Sequence, residues 1–326
     1  MVSNLLTRVN FLALVQDRIL LVEDLMRSQS DGHHPGLGAA MEHLLASGGK
    51  RVRPAVALLT GDMLGANAER VVTLGAAIEL LHTATLVHDD LIDGALLRRG
   101  IATMNSQWSP AATVLTGDYI FARAAKLAAE TNSIPVMRLF SQTLATIVNG
   151  ELTQLFTSRG VASRENYFQR IYAKTASMFE LATAAAAMLS PLDSAVVEEM
   201  RGFGYDIGMA FQIVDDILDF TAEQATLGKP VASDLRQGLI TLPALFYVES
   251  HPEDPEMQSI LEGHFFSDER IDRLVNSIRE SGSIQRSMSV AQEYVDSALI
   301  KLHIQRPGPE RDALEELSRY IVDRQL

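Results

Sequence analysis

Leu86-Val87-His88-Asp89-Asp90-Leu91-Ile92-Asp93 and Phe211-Gln212-Ile213-Val214-Asp215-Asp216-Ile217-Leu218-Asp219 each set three aspartates into an otherwise apolar run. Both read DDxxD with apolar residues at the x positions. On a helix, residues four apart share a face, so Asp89 lies beside Asp93 and Asp215 beside Asp219. Like charges at that spacing repel, and an apolar setting adds a desolvation cost. A divalent cation removes both penalties, so the doubled pattern points to a pair of metal-carrying carboxylate sites facing one another. A solvated acidic face would be mixed with Lys and Glu, and neither run contains them.

Outward from these motifs the chain is rich in helix formers and poor in strand-like alternation. Apolar residues recur at helical spacing over about 3–28, 51–64, 68–93, 110–130, 134–156, 164–189, 193–220, 235–249 and 283–303. Pro and Gly fall mostly between these segments, at Pro35-Gly36, Pro110, Pro135, Pro191 and Gly228 to Pro230. Ser109-Pro110 and Ser190-Pro191 read as a cap followed by Pro at the first helical position, with Asp193 or Ser194 as alternative caps. With no linker, low-complexity tract or fixed-period repeat, the expectation is one all-α domain over 1–326. The more charged pieces after Pro252 read as peripheral.

The 326 residues are 47% hydrophobic and 21% charged, enough apolar material for a core. Without Cys there is neither a disulfide framework nor a thiolate metal site, and the expected compartment is the cytoplasm. The N-terminal stretch lacks a signal-peptide pattern, and no uncharged apolar run of about 18–20 residues suggests a membrane span. A net charge of −13 argues against nucleic acid as a partner. Positive charge is concentrated at Lys50-Arg51-Val52-Arg53 and Arg98-Arg99, which suits an anionic small molecule. Gly48-Gly49-Lys50 lacks the remaining residues of a P-loop.

With both acidic motifs placed, the chain resembles the trans-isoprenyl (polyprenyl) diphosphate synthases. The ordered match includes Gly48-Gly49-Lys50-Arg51-Val52-Arg53-Pro54, the first DDxxD, Arg98-Arg99-Gly100, Gly117-Asp118 and Gly150-Glu151-Leu152-Thr153-Gln154. Lys174-Thr175, the second DDxxD, Gly228-Lys229 and Asp234-Leu235 complete it. The resemblance implies an all-helical isoprenoid-synthase bundle around a deep central cavity, most often as a homodimer. It implies a transferase that joins isopentenyl diphosphate to an allylic diphosphate, with about three Mg2+ ions per loaded site. By position, Asp89, Asp90, Asp93, Asp215, Asp216 and Asp219 would bind Mg2+, directly or through water. Arg98, Lys174, Gln212 and Lys229 would hold the allylic diphosphate, with Thr175 lining the same site. Lys50, Arg53, His82 and Arg99 would hold isopentenyl diphosphate. His88 is left as structural, and a surface charge near the site is one reading of Arg51. Leu239 stands where many members carry Lys, so one phosphate contact is expected to be missing.

In the family, bulk on the helix leading to the first acidic motif sets the cavity floor. Here Ala84 lies five residues before Asp89, with Thr85 beside it and Leu81 and Ala77 further back. The small residue implies an open floor and a product longer than farnesyl, of roughly C30–C50, which needs several turns of depth at about 1.5 Å per residue. A geranylgeranyl product, a terpene cyclase and a non-catalytic subunit of a heterodimeric synthase are the alternatives. The paired cations at Lys50, Arg53 and Arg99 disfavour the cyclase, and two intact acidic motifs disfavour the non-catalytic subunit.

Overall fold

The computed structural model describes residues 10–31, 34–46, 49–98, 100–156, 163–221, 231–264 and 267–323. A 3-10 turn, Asn10–Val15, leads into α1 (Gln16–Ser28), α2 (Pro35–Ala46), α3 (Val52–Met63) and α4 (Ala68–Ile92). A two-stranded antiparallel hairpin, β1 (Leu97–Arg98) and β2 (Ile101–Ala102), follows with Arg98 opposite Ile101. Next come α5 (Met104–Gln107), α6 (Pro110–Glu130), α7 (Ile134–Phe156) and α8 (Arg164–Ile171). A π-helical turn, Tyr172–Ala176, joins α8 to α9 (Ser177–Met188), and α10 spans Ser194–Thr221. The chain continues through α11 (Ser233–Arg236), α12 (Leu242–Ser250), α13 (Pro255–Leu261), α14 (Asp268–Glu280), α15 (Ser283–His303) and α16 (Pro309–Asp323). The fold is all-α, as expected from the apolar spacing.

Helix ends follow local chemistry. Ser109 Oγ accepts from the Ala112 N–H with Pro110 at the first helical position, as read from the sequence. Ser190-Pro191, by contrast, forms a turn, and Asp193 caps α10 by accepting from the Ala195 and Val196 amides. A carboxylate at the helix start satisfies two orphan donors and complements the helix dipole.

Contacts cluster the chain into two compact units. One falls within Met1–Leu144, Met178–Gly204 and Lys301–Leu317. Its centre is α4, buried at every position from Leu74 to Leu81. By length and composition α4 could cross a membrane, but 67% of its most apolar window is buried inside the protein. A helix apolar on all sides needs neighbours on all sides, and α1, α3 and α6 pack on α4. Small residues allow close approach between α9 and the start of α10. A Cβ on Gly204 would sit 2.5 Å from the Phe179 carbonyl oxygen and 2.9 Å from Glu180 Cα. Thr183 Oγ donates to the Met200 carbonyl at 2.6 Å across the same contact.

The other unit falls within Ala145–Ser177, Tyr205–Ile300 and Ser318–Leu326. The second half of α10 lies here, with Ile207, Met209, Ala210, Ile213, Val214 and Ile217 fully buried. Arg279 of α14 donates to the Phe220 carbonyl at 2.6 Å near the end of α10. Arg164 and Arg286 lie over the Phe246 ring, 4.7 and 4.2 Å from its centre, and both pair with Glu249.

Two further expectations need correction. Pro35-Gly36 starts a helix rather than breaking one, because Pro fits the first turn, where its missing N–H is not needed. The charged stretch after Pro252 is not peripheral: α14 buries Ile271, Leu274, Val275 and Ile278, and α16 buries Leu314, Leu317 and Ile321. These helices are strongly two-faced, so their average polarity hides a core stripe.

Gly204→Ala drives a methyl into backbone that cannot retreat. The expected cost is about 1–3 kcal/mol, read as a lower thermal midpoint by circular dichroism; an unchanged midpoint would show that α9 and α10 are not held so close.

Candidate active site

The first acidic motif ends α4. Asp89 is half-buried, Asp90 buried and Asp93 exposed as the helix C-cap. Arg98 reaches back from β1 to grip Asp90, with Nε 2.9 and 3.1 Å from its two oxygens and Nη2 2.8 Å from Oδ1. This fork on a carboxylate is the geometry Arg favours. The hairpin that presents Arg98 is tied to α2 by His43 Nε2 at 2.7 Å from the Ala102 carbonyl. Arg98 therefore lies on the motif itself, and Arg99 falls outside the described residues. One residue before the motif, His88 packs on α6: it lies 3.2 Å from the Val114 carbonyl oxygen and 3.5 Å from Asp118 Oδ1. A Cβ on Gly117 would overlap its ring, which gives Gly117-Asp118 a physical reason.

The basic cluster precedes α3 in the same unit. Lys50 is exposed, and Arg53 lies over the Phe179 ring with Cζ 5.2 Å from its centre. The surface-charge alternative for Arg51 does not hold. Its side chain is only 10% exposed, held by Glu23 and by the buried Glu79 at 2.8 Å each. A buried guanidinium is tolerated because both carboxylates replace its water. Burial by itself would lower its pKa, but Glu79 and Glu23 together outweigh that and raise it. His82 is half-buried on α4. Ala77, Leu81 and Ala84 are fully buried, while Thr85 is half-buried on the helix face shared with His82 and Asp89.

The second motif lies within α10, in the other unit. Asp216 is 4% exposed and accepts from Tyr167 Oη and from Gln212 Nε2, each at 2.8 Å. Thr175 Oγ in turn donates to Gln212 Oε1 at 2.6 Å. Burial, then the nearby Asp234 charge, push the Asp216 carboxyl up to about 7, against the two hydrogen bonds that favour its charged form. Lys174 pairs with Glu151 at 3.0 Å. Lys174 and Thr175 stand on the π turn, a distortion often found at functional sites. Asp219, also 4% exposed, accepts from Ser233 Oγ and the Asp234 amide, and its own carbonyl accepts from the Ala232 amide at 2.7 Å. Asp215 is half-buried, and Lys229 lies outside the described residues.

The motif residues thus divide by environment. Asp90, Asp216 and Asp219 are engaged by protein donors, whereas Asp89, Asp93 and Asp215 retain more exposed surface. Among the described residues, no three or more His, Asp or Glu side chains form a ready-made metal cage. The donor chemistry fits a hard divalent cation all the same, since Mg2+ takes one or two carboxylates and fills its remaining positions with water and substrate phosphate. Sequence reasoning missed Tyr167, Glu79 and Glu23, which contact motif residues from distant helices. Glu151 stood within a quoted motif without a role; its spacing from Lys174 gave no sign of the ion pair.

Comparison with known proteins places this geometry among described relatives. The polyprenyl synthetase family model matches residues 34–278. A prenyl transferase from Cyanophora paradoxa is 34% identical over 97% of this chain and 98% of its own length. Heptaprenyl diphosphate synthase component 2 from Bacillus subtilis is 32% identical over 96% and 89%. A crystal structure of a polyprenyl synthase from Caulobacter crescentus, complexed with calcium and isoprenyl diphosphate, superposes with a TM-score of 0.91 at 34% identity, covering 97% of both chains.

Tyr167→Phe removes one donor from Asp216 while preserving the ring. A hydrogen bond to a charged acceptor contributes about 1.5–3 kcal/mol, so urea unfolding at a pH well above 7, where the Asp216 carboxyl is ionised, should show a stability loss of that order. No loss would mean that the Tyr167–Asp216 bond does not form.

Proposed function

The chain belongs to the polyprenyl synthetase family and is a prenyltransferase, and from that premise we propose its substrates, metal, product and assembly. The substrates are isopentenyl diphosphate and an allylic diphosphate, and the product is an all-trans polyprenyl diphosphate longer than farnesyl. The observation that carries this reading is the doubled acidic motif, combined with basic side chains in each unit, at Lys50, Arg53 and Arg98 and at Lys174.

Asp89, Asp93 and Asp215 would hold Mg2+, with Asp90, Asp216 and Asp219 contributing directly or through water. Bound Mg2+, about three ions with substrate present, would neutralise charge developing on the departing diphosphate. Arg98, Lys174, Lys229, Gln212 and Thr175 would orient that diphosphate so that its allylic C–O bond breaks in a fixed direction. Lys50, Arg53, His82 and Arg99 would hold isopentenyl diphosphate with its double bond toward the allylic carbon. That double bond forms the new C–C bond, and loss of a proton restores an alkene. Apolar walls keep water from capturing the cation. The Caulobacter enzyme is complexed with calcium and isoprenyl diphosphate in its crystal, and that supports the same ligand set here.

The small Ala84 and the heptaprenyl relative support a product of roughly C30–C50, with a floor several helical turns deep at about 1.5 Å per residue. A second copy of the chain is the proposed partner. Support comes from apolar side chains left exposed on α6, at Val114 and Leu115, and on α7, at Val148, Leu152, Leu155 and Phe156. The name component 2 in the Bacillus relative favours a second reading, a different partner subunit. Sedimentation of the pure protein separates the two, since a monomer would refute self-association.

The test is incubation with Mg2+, isopentenyl diphosphate and geranyl, farnesyl or geranylgeranyl diphosphate, with chain lengths read by mass spectrometry. Elongation to products longer than geranylgeranyl is expected, and failure with every primer, even with a partner subunit supplied, would overturn the assignment. Ala84→Phe and Thr85→Phe should both shorten the product. If neither does, the open floor is refuted.

A further inference from the structure

Arg51 stands between two residues assigned to isopentenyl diphosphate, yet its own side chain points elsewhere. It adopts φ 47° and ψ 36°, the left-handed region, just before α3 begins. Only Asn132 and Ala232 share a positive φ among the described residues other than glycine. Asn tolerates this conformation, but the Cβ of Arg gains nothing from it. Such a residue persists where its surroundings over-determine it.

Those surroundings are explicit. Arg51 Nε donates to Glu23 on α1 and Nη1 donates to Glu79 on α4, each at 2.8 Å. Glu79 is 5% exposed, and a buried carboxylate is costly unless donors replace its water. The planar guanidinium serves two carboxylates from two helices at once, which a lysine ammonium on a flexible stem does not reproduce. The carbonyl of Arg51 also accepts from the Ala55 amide at 3.1 Å and so opens α3. Glu79 sits on the same helix as His82. The clamp therefore ties the segment bearing Lys50 and Arg53 to the helix bearing the third proposed diphosphate ligand.

We propose that Arg51 is a positioning residue: its clamped left-handed turn aims Lys50 and Arg53 at the diphosphate of isopentenyl diphosphate without touching that substrate. This rests on the substrate assignment above. Across this left-handed residue Lys50 is exposed while the Arg51 side chain turns inward onto Glu23 and Glu79. Neutralisation by Glu23 and Glu79 also keeps a third cation from repelling Lys50 and Arg53 or competing with them for phosphate.

The decisive variant combines Arg51→Gly, Glu23→Gln and Glu79→Gln. Glycine accepts the left-handed conformation freely but does not enforce it, and the glutamines leave no buried charge unpaired. Its thermal midpoint should stay within about 5 °C of the parent. The KM for isopentenyl diphosphate should rise about 10-fold or more, as expected when a binding group is misplaced by an ångström or so, with the allylic KM and product length unchanged. A folded variant with an unchanged isopentenyl diphosphate KM, or with both KM values raised equally, overturns the proposal. If the triple variant does not fold, Glu23→Gln, which removes one of the two holds at a partly exposed site, should raise the same KM alone; no rise overturns the proposal equally. Arg51→Lys, which keeps the charge without the fork, should give an isopentenyl diphosphate KM between those of the parent and the triple variant, and a parent-like KM overturns the proposal. A parent enzyme that elongates no primer would instead sink the substrate assignment.

Discussion

A carboxylate removed from water costs several kcal/mol unless donors or cations replace its hydration, and this all-α protein carries several such groups in or beside its core. Each is answered differently. Asp90 takes the fork of Arg98, Asp216 takes a phenol and an amide, Asp219 takes a hydroxyl and a backbone amide, and Glu79 takes Arg51. The donors come from the hairpin after α4, from α8, from within α10, from the turn at α11 and from the segment before α3. Solvating buried acid is thus a reason why short elements are held where they are.

The same constraint separates roles inside each DDxxD motif. The middle aspartate is buried and anchored in both copies, while the first keeps more exposed surface. The third differs: Asp93 is an exposed helix end, whereas Asp219 is buried and secures the turn that begins α11. Two motifs identical in pattern therefore differ in environment. Asp216 shows the cost of incomplete compensation, since burial and then the neighbouring Asp234 push its carboxyl up to about 7 despite two donors.

Dense helix packing supplies the frame. Alanine and glycine let α9 and α10 approach until a single methyl at Gly204 would meet backbone, and α4 is surrounded closely enough that a helix of membrane-span composition serves as a core element. Rigid neighbours matter to chemistry because a reacting group displaced by an ångström loses much of its effect. The π turn at Tyr172–Ala176 interrupts this regularity where Lys174 and Thr175 meet Glu151 and Gln212.

Apolar periodicity and punctuation were enough to read the all-α class, the limits of α4, α6 and α7 to within a few residues, and the Ser109 cap, because those depend on neighbours along the chain. The acidic motifs and their likeness to a family were legible for the same reason. The helices at 35–46, 268–280 and 309–323 escaped, since glycine content or mean polarity masked a stripe that shows only once there is a core for it to face. What tertiary structure alone decided is which partner each charge meets. Arg51 became a buried clamp, Arg98 a hold on Asp90 and Tyr167 a donor to Asp216, because desolvation and hydrogen bonding act between residues 8 to 49 positions apart.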